Sequence, residues 1–227
     1  MIGTGLAHRL DHLVERYNQE ADTVYRLLPT TEAGQLYVQQ WGVFTRHSRR
    51  CWAWVVGNCP VLEIRRFITK ENLYEEEGED ETSHYEVLAR LGVKLGLARE
   101  EIDHATPFAT TQIAMLAWET LTKNRSWPEG LAAKAVLERV GFPDLRRIRR
   151  RQWERALGLS EADLGFFTTH ITVDEIHGSG AYDLLERYVP ESQEDAAVAA
   201  ALASLQAMAL FTNGIAAGMQ QRGATLE

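Results

Sequence analysis

Apolar residues recur at steps of three and four along nearly the whole 227-residue chain, and no period-two alternation lasts long enough to predict a strand. Leu6, Leu10, Leu13, Val14, Tyr17, Ala21, Val24 and Leu28 form one apolar face of a first helix. Pro29-Thr30-Thr31-Glu32 interrupts it and supplies a threonine N-cap for a second helix reaching about Val56. Gly57-Asn58-Cys59-Pro60 is a stop and restart, and a third helix runs from about Val61 to Glu77. A fourth begins near Thr82 or Ser83, and Ala98 to His104 is a short polar helix or loop. Thr110 to Lys123, Gly130 to Val140 and Pro143 to Leu157 are three further helices. The capping-box order Ser160-Glu161-Ala162-Asp163 predicts a long helix onward to about Tyr188, and Glu191 to about Gln221 is the last. With no repeat, linker or boundary signal, the expectation is an all-α multi-helix bundle, residues 1–227 forming a single domain.

Composition narrows the function classes. The chain is 45% hydrophobic and 25% charged, an ordinary globular balance. A net charge of −8 argues against nucleic-acid binding over most of the surface. One local exception is the arginine cluster at 146, 147, 149, 150, 151 and 155, which reads either as a phosphate-binding patch or as a solvated helix face paired with acids. The apolar stretch Ala196 to Phe211 is broken by Ser204 and Gln206; it falls short of the ~18 residues a membrane span needs and predicts a buried helix. Cys51 and Cys59, with no leader-like segment, suggest free thiols in a reducing cytoplasm. Nucleotide-loop and nucleophile-elbow motifs are absent from the sequence.

The sharpest chemical signal is His170-Ile171-Thr172-Val173-Asp174-Glu175-Ile176-His177. A helix turns ~100° per residue, so 170, 174 and 177 fall within ~60° of one another. Phe166, Phe167, Ile171, Val173 and Tyr182 mark the segment as largely buried, and a buried charge must be paired or bound to metal. The bland alternative is a polar helix face. The second signal is Glu71-Asn72-Leu73-Tyr74-Glu75-Glu76-Glu77-Gly78, followed by His84. Glutamates at a helix C-terminus oppose the helix dipole, so an arginine, solvent or a metal must offset them. The third is Glu138, on a helix whose Ala132, Ala135 and Val136 permit close packing; alone it is an ordinary surface glutamate. Mixed imidazole and carboxylate donors are the ligand chemistry of non-haem iron or manganese.

At these residues the chain resembles the haem-oxygenase-like di-metal oxidases, relatives of the thiaminase-II and pyrroloquinoline-quinone-synthase fold that lack haem. One half of the match is Asn72-Leu73-Tyr74-Glu75-Glu76-Glu77 through His84 to Leu91-Gly92-Val93-Lys94-Leu95-Gly96-Leu97; the other is His170-x3-Asp174-x2-His177, with Glu138 about thirty residues upstream. The resemblance implies a two-metal site of Glu76, His84, Glu138, His170, Asp174 and His177, with the second metal often weakly held. Counting back from His84 favours Glu77, and Glu81 is a third choice; the fixed helical distance from Asn72 favours Glu76. Family members reduce O2 at Fe/Fe or Mn/Fe pairs and oxidise amino acids, amines or fatty acids by N-oxygenation, oxidative decarboxylation, C–C cleavage or nitrile formation. The resemblance thus implies a small-molecule substrate, no nucleic-acid or membrane partner, and a fold in which homodimers are common.

Rival readings differ in their residues. Thiaminase II uses a mid-chain cysteine, whereas no cysteine follows Cys59. A p-aminobenzoate synthase of the same family consumes its own tyrosine and a lysine; Tyr25 stands near the tyrosine's place, but arginines replace the lysine expected about ten residues after Glu138. A ferritin-like di-iron bundle needs two Glu-x-x-His pairs on inward-facing helices; Glu81–His84 and Glu101–His104 match in spacing but sit in polar breaks. A regulatory binding protein would rest on the arginine cluster. Gly178 and Gly180 either let a neighbour come close or loosen the helix.

Overall fold

A computed structural model describes residues 5–78, 82–172 and 174–227, and the side chains of these residues other than 75, 170, 172 and 174–178. The architecture is all-α. Helices α1 (Leu6–Tyr25), α2 (Thr31–Asn58), α3 (Leu62–Phe67) and α4 (Tyr74–Glu77) are followed by α5 (His84–Lys94), α6 (Arg99–Asp103), α7 (Ala109–Lys123) and α8 (Trp127–Glu138). Then come α9 (Asp144–Leu157), α10 (Gly165–Thr172), α11 (Asp174–Tyr188) and α12 (Glu191–Gln221). Between α3 and α4 the turns widen into a π-helical segment, Ile68–Leu73.

The local chemistry explains most boundaries. Thr30 caps α2 by accepting from Ala33 N at 3.2 Å. Ser83 does the same for α5, accepting from Glu86 N at 3.2 Å. Ser126 and Glu129 close a capping box on α8, Ser126 N donating to Glu129 Oε2 at 3.1 Å. The first helix stops at Tyr25 rather than Leu28, because Leu27–Leu28 pairs antiparallel with Thr225–Leu226. The segment from Ser160 is a turn, not a helical start: Ser160 N donates to Asp163 Oδ2 at 2.9 Å, and the helix begins at Gly165.

Helix α8 is the axis of the core, buried from Gly130 to Leu137. It packs along α12, where Ala197, Ala200, Ala201 and Ala207 are buried. Small residues on both helices let the backbones approach. Ser204 Oγ donates to Ala133 O at 2.5 Å and accepts from Trp118 Nε1 at 3.1 Å, so this polar side chain in the seam is satisfied. Helix α12 is long and apolar enough to cross a membrane, but half of its most apolar window is packed inside the bundle against α1, α2, α7 and α8. Gly180 supports the close-approach reading: a Cβ there would stand 2.5 Å from the Phe67 ring. Helix α10 leans on α5 and α9, and α11 leans on α8 and α1.

Candidate active site

An internal cavity of about 100 Å³ lies among α1, α2, the π segment, α4, α5, α8, α9, α10 and α12. Trp41, Phe44, Trp52, Phe166, Phe167 and Met208 give it apolar walls. Glu76, His84 and Glu138 line it, from three different helices. The π segment sets up the first of these. Asn72 and Glu76 stand four residues apart, so after the widened turns both face inward. Asn72 is 2% exposed and its Oδ1 meets no donor among the described residues. An orphaned acceptor in a cavity wall is costly unless a ligand or water completes it.

Glu76 Oε2 lies 3.7 Å from His84 Nδ1, an ion-pair distance rather than a hydrogen bond. Burial alone would push the Glu76 carboxyl up, but the facing His84, with Lys134 and Ser48, holds it below the usual carboxylate range. Lys134 is itself buried. Its Nζ donates to Ser48 Oγ at 2.8 Å and sits 4.9 Å over the Trp52 ring. Glu77 points the other way and pairs with Arg49 at 3.1 Å on the outside. The acidic run thus divides, one glutamate into the cavity and the next to a surface arginine. Glu81 lies outside the described residues.

Glu138 ends α8, and Arg146 secures that end. Its Nη2 donates to Glu138 O at 2.9 Å and its Nε to Val140 O at 2.8 Å, satisfying carbonyls that a helix C-terminus leaves open. Among the described residues no three His, Cys, Asp or Glu side chains are gathered closely enough to hold a metal by themselves. The side chains of His170, Asp174 and His177 lie outside the described residues; their helices rest against α5, which carries His84, and α8, which carries Glu138. The donor types present fit a hard or borderline redox metal: a carboxylate that its neighbours favour in the charged form and an imidazole, both lining one pocket.

Sequence reasoning missed the other end of the cavity. Helix α9 does not present its arginines as one solvated face. Arg147, Arg150 and Arg155 pair outside with Asp144, Glu161 and Glu227 at 3.5, 3.3 and 2.9 Å. Arg146 and Arg149 turn inward into the cavity wall, on the face shared by the buried Gln152 and Trp153. The 3, 3 and 1 steps separating these residues were the available signal. Tyr25 and Tyr37 line this end too.

Residues 35–209 match the iron-containing redox enzyme family. The chain belongs to that family. No curated protein matches it. Among solved structures it is similar to a domain of unknown function with a haem oxygenase-like fold from Shewanella denitrificans, at TM-score 0.77 and 15% identity, covering 94% of this chain and 91% of that one. A CADD-like protein of unknown function from Nostoc punctiforme superposes at TM-score 0.68 with 21% identity, covering 92% and 98%. A TenA homologue from Pseudomonas syringae pv. tomato gives TM-score 0.73 at 12% identity, covering 92% of each. At such identities the likeness establishes the haem oxygenase-like fold and nothing finer.

Proposed function

We propose that this family member is a non-haem di-metal oxidase that uses O2 to oxidise a small amino acid, amine or fatty acid. The observation that carries the reading is that Glu76 faces His84 at 3.7 Å, with both side chains largely withdrawn from solvent, in an aromatic-walled cavity that Glu138 also lines. Glu76, His84 and Glu138 would hold the metals together with His170, Asp174 and His177. When bound, two redox-active ions supply the electrons that reduce O2 and the oxidising power that acts on substrate.

The chain's own residues supply the setting. Lys134 fixes Ser48, and both favour the charged form of Glu76, so this donor stays deprotonated at neutral pH. Trp41, Phe44, Trp52 and Phe166 give the cavity apolar walls, which would limit water around reactive species and strengthen electrostatics inside. The cysteine chemistry of a thiaminase has no support here. Cys51 is buried beside His47, Sγ 3.6 Å from Nδ1, and burial pushes its thiol up, away from the nucleophilic thiolate.

Anaerobic reconstitution with Fe(II), elemental analysis, and O2 exposure across a panel of amino acids, amines and fatty acids tests the proposal. Expected are two metals per chain and a visible absorption band whose formation or decay one substrate class accelerates. A protein that takes up no iron under these conditions rules the reading out. A second reading, self-sacrificing oxygenation of the p-aminobenzoate-synthase kind, has one observation in its favour: Tyr25 and a buried lysine, Lys134, line the same cavity. Intact mass after O2 exposure decides, since that reaction removes mass from the tyrosine and the di-metal oxidase does not.

A further inference from the structure

Arg149 is a buried cation that meets no anion among the described residues. It is 8% exposed, and its described polar neighbours are tyrosines, not carboxylates. Its guanidinium carbon stacks 3.9 Å from the Tyr25 ring centroid and 5.5 Å from that of Tyr37. Of its five N–H donors, Nη1 reaches the Tyr37 hydroxyl at 3.2 Å. That hydroxyl accepts from Arg149, so its own proton remains available to a further acceptor. Burial pushes the Tyr37 phenol up to about 12, which keeps it a neutral donor. Arg149 and Tyr37 both line the cavity that holds Glu76 and His84.

A buried, permanently charged guanidinium demands a counter-charge, and the planar fork suits a carboxylate. The other inward arginine, Arg146, already donates to the Glu138 and Val140 carbonyls. Arg149, by contrast, has one side-chain hydrogen bond among the described residues, to the Tyr37 hydroxyl, so most of its fork is open to a carboxylate. The neighbouring surface, Trp41, Phe44, Phe166 and Phe167, is aromatic and suits an apolar body.

We propose that Arg149, assisted by the Tyr37 hydroxyl, binds the carboxylate of the substrate, which is a monocarboxylic acid with an apolar body lying along the aromatic wall toward Glu76 and His84. This rests on the reading of the cavity as the oxidation site, and it narrows the substrate class by excluding amines that lack a carboxylate. Arg149 and Tyr37 are positioning residues with respect to the chemistry at the far end.

Calorimetric titration of the metal-free protein tests it with butanoate, hexanoate and decanoate against hexylamine, hexanol and hexyl phosphate. Expected is binding of at least one carboxylate, tighter than that of amine, alcohol and phosphate ester. Arg149→Gln should weaken it about 30-fold, the loss typical of one partner of a buried charged pair. Tyr37→Phe should weaken it several-fold; it keeps the ring and carries the test should Arg149→Gln not fold. Failure of every carboxylate to bind the wild type, equal binding of hexanol or hexylamine, tighter binding of hexyl phosphate, or undiminished binding in both variants overturns the assignment. Iron loading of the wild type is scored separately. Iron bound without carboxylate binding rejects this inference alone, and carboxylate binding without iron rejects the oxidase.

Discussion

The two ends of the cavity bury charge in opposite ways. At one end, acids and an imidazole arrive on separate helices, α4, α5 and α8, with a lysine of α8 and a serine of α2 behind them. At the other, a single helix, α9, brings in an arginine that aromatic rings hold in place. The acids and the imidazole at the first end depend on several pieces of chain converging. The second end depends on packing: Tyr37 lies 4.9 Å from Trp153 and 5.9 Å from Phe167, centroid to centroid. Substitutions should therefore separate the ends, one losing metal with the fold kept, the other losing stability or anion binding with metal kept.

The largest effect is expected at the acidic end. Glu138→Ala should abolish iron content and activity while circular dichroism still reports a helical protein, because the exchange removes a donor and leaves the Arg146 contact to the Glu138 backbone carbonyl in place. His170→Ala should behave alike. Two metals per chain in either variant would break the comparison at its first term.

Next in size is Trp153→Ala, on the packing side. Trp153 is 1% exposed and touches both Tyr37 and Phe167. Denaturant unfolding should show a loss of about 3–5 kcal/mol, the usual cost of emptying a large aromatic site. Iron bound per folded chain should stay near the wild-type value. A parallel loss of iron would mean that the ends are one mechanical unit.

The difference between the ends also explains what the sequence disclosed. Helical periodicity, the Thr30 and Ser83 caps and the buried alanine-rich α12 are local properties, and each is legible in a short window. Glu76 and His84 drew attention by chemical type, and the helical distance from Asn72 selected Glu76 where the loop before His84 fixed nothing. Non-local events were hidden. The π turns before Glu76 carry no pattern that sets them apart from ordinary helix, and the pairing of Leu27–Leu28 with Thr225–Leu226 depends on a partner far along the chain. Ser160 and Asp163 make the hydrogen bonds of a helix cap, yet the same bonds close an isolated turn, and only the structure distinguishes them. Arg149 was masked by its neighbours. In a run of arginines, an inward one has no compositional mark, and only its phase with Gln152 and Trp153 on the helix reveals it.

A subtler exchange sharpens the arginine end. Gly141 adopts φ +70°, and a Cβ there would lie 2.6 Å from Tyr25 ring atoms. Gly141→Ala must strain the backbone and displace the ring on which Arg149 stacks. A cost of about 1–3 kcal/mol is expected from the conformational strain. Carboxylate binding should weaken with it, whereas iron loading should not. Wild-type stability in thermal unfolding would show that the Tyr25 ring shifts freely and contributes little to holding the guanidinium.

The smallest effect tests whether the two faces of α9 differ as described. Arg151 is exposed, one turn beyond Arg147 on the same helix, and Arg147 itself meets Asp144 only at the surface. Arg151→Ala and Arg147→Ala should each change unfolding free energy by no more than about 0.5 kcal/mol, as exposed substitutions away from special features do. Neither should alter carboxylate affinity. If either weakens hexanoate as much as Arg149→Gln does, long-range attraction by the whole arginine cluster governs anion binding. That attraction would decline as salt is raised to 0.15 M and beyond, where the screening length falls to about 8 Å. A contact made by the buried Arg149 alone would change far less over the same range, so the salt series and the three substitutions together identify which arginine meets the anion.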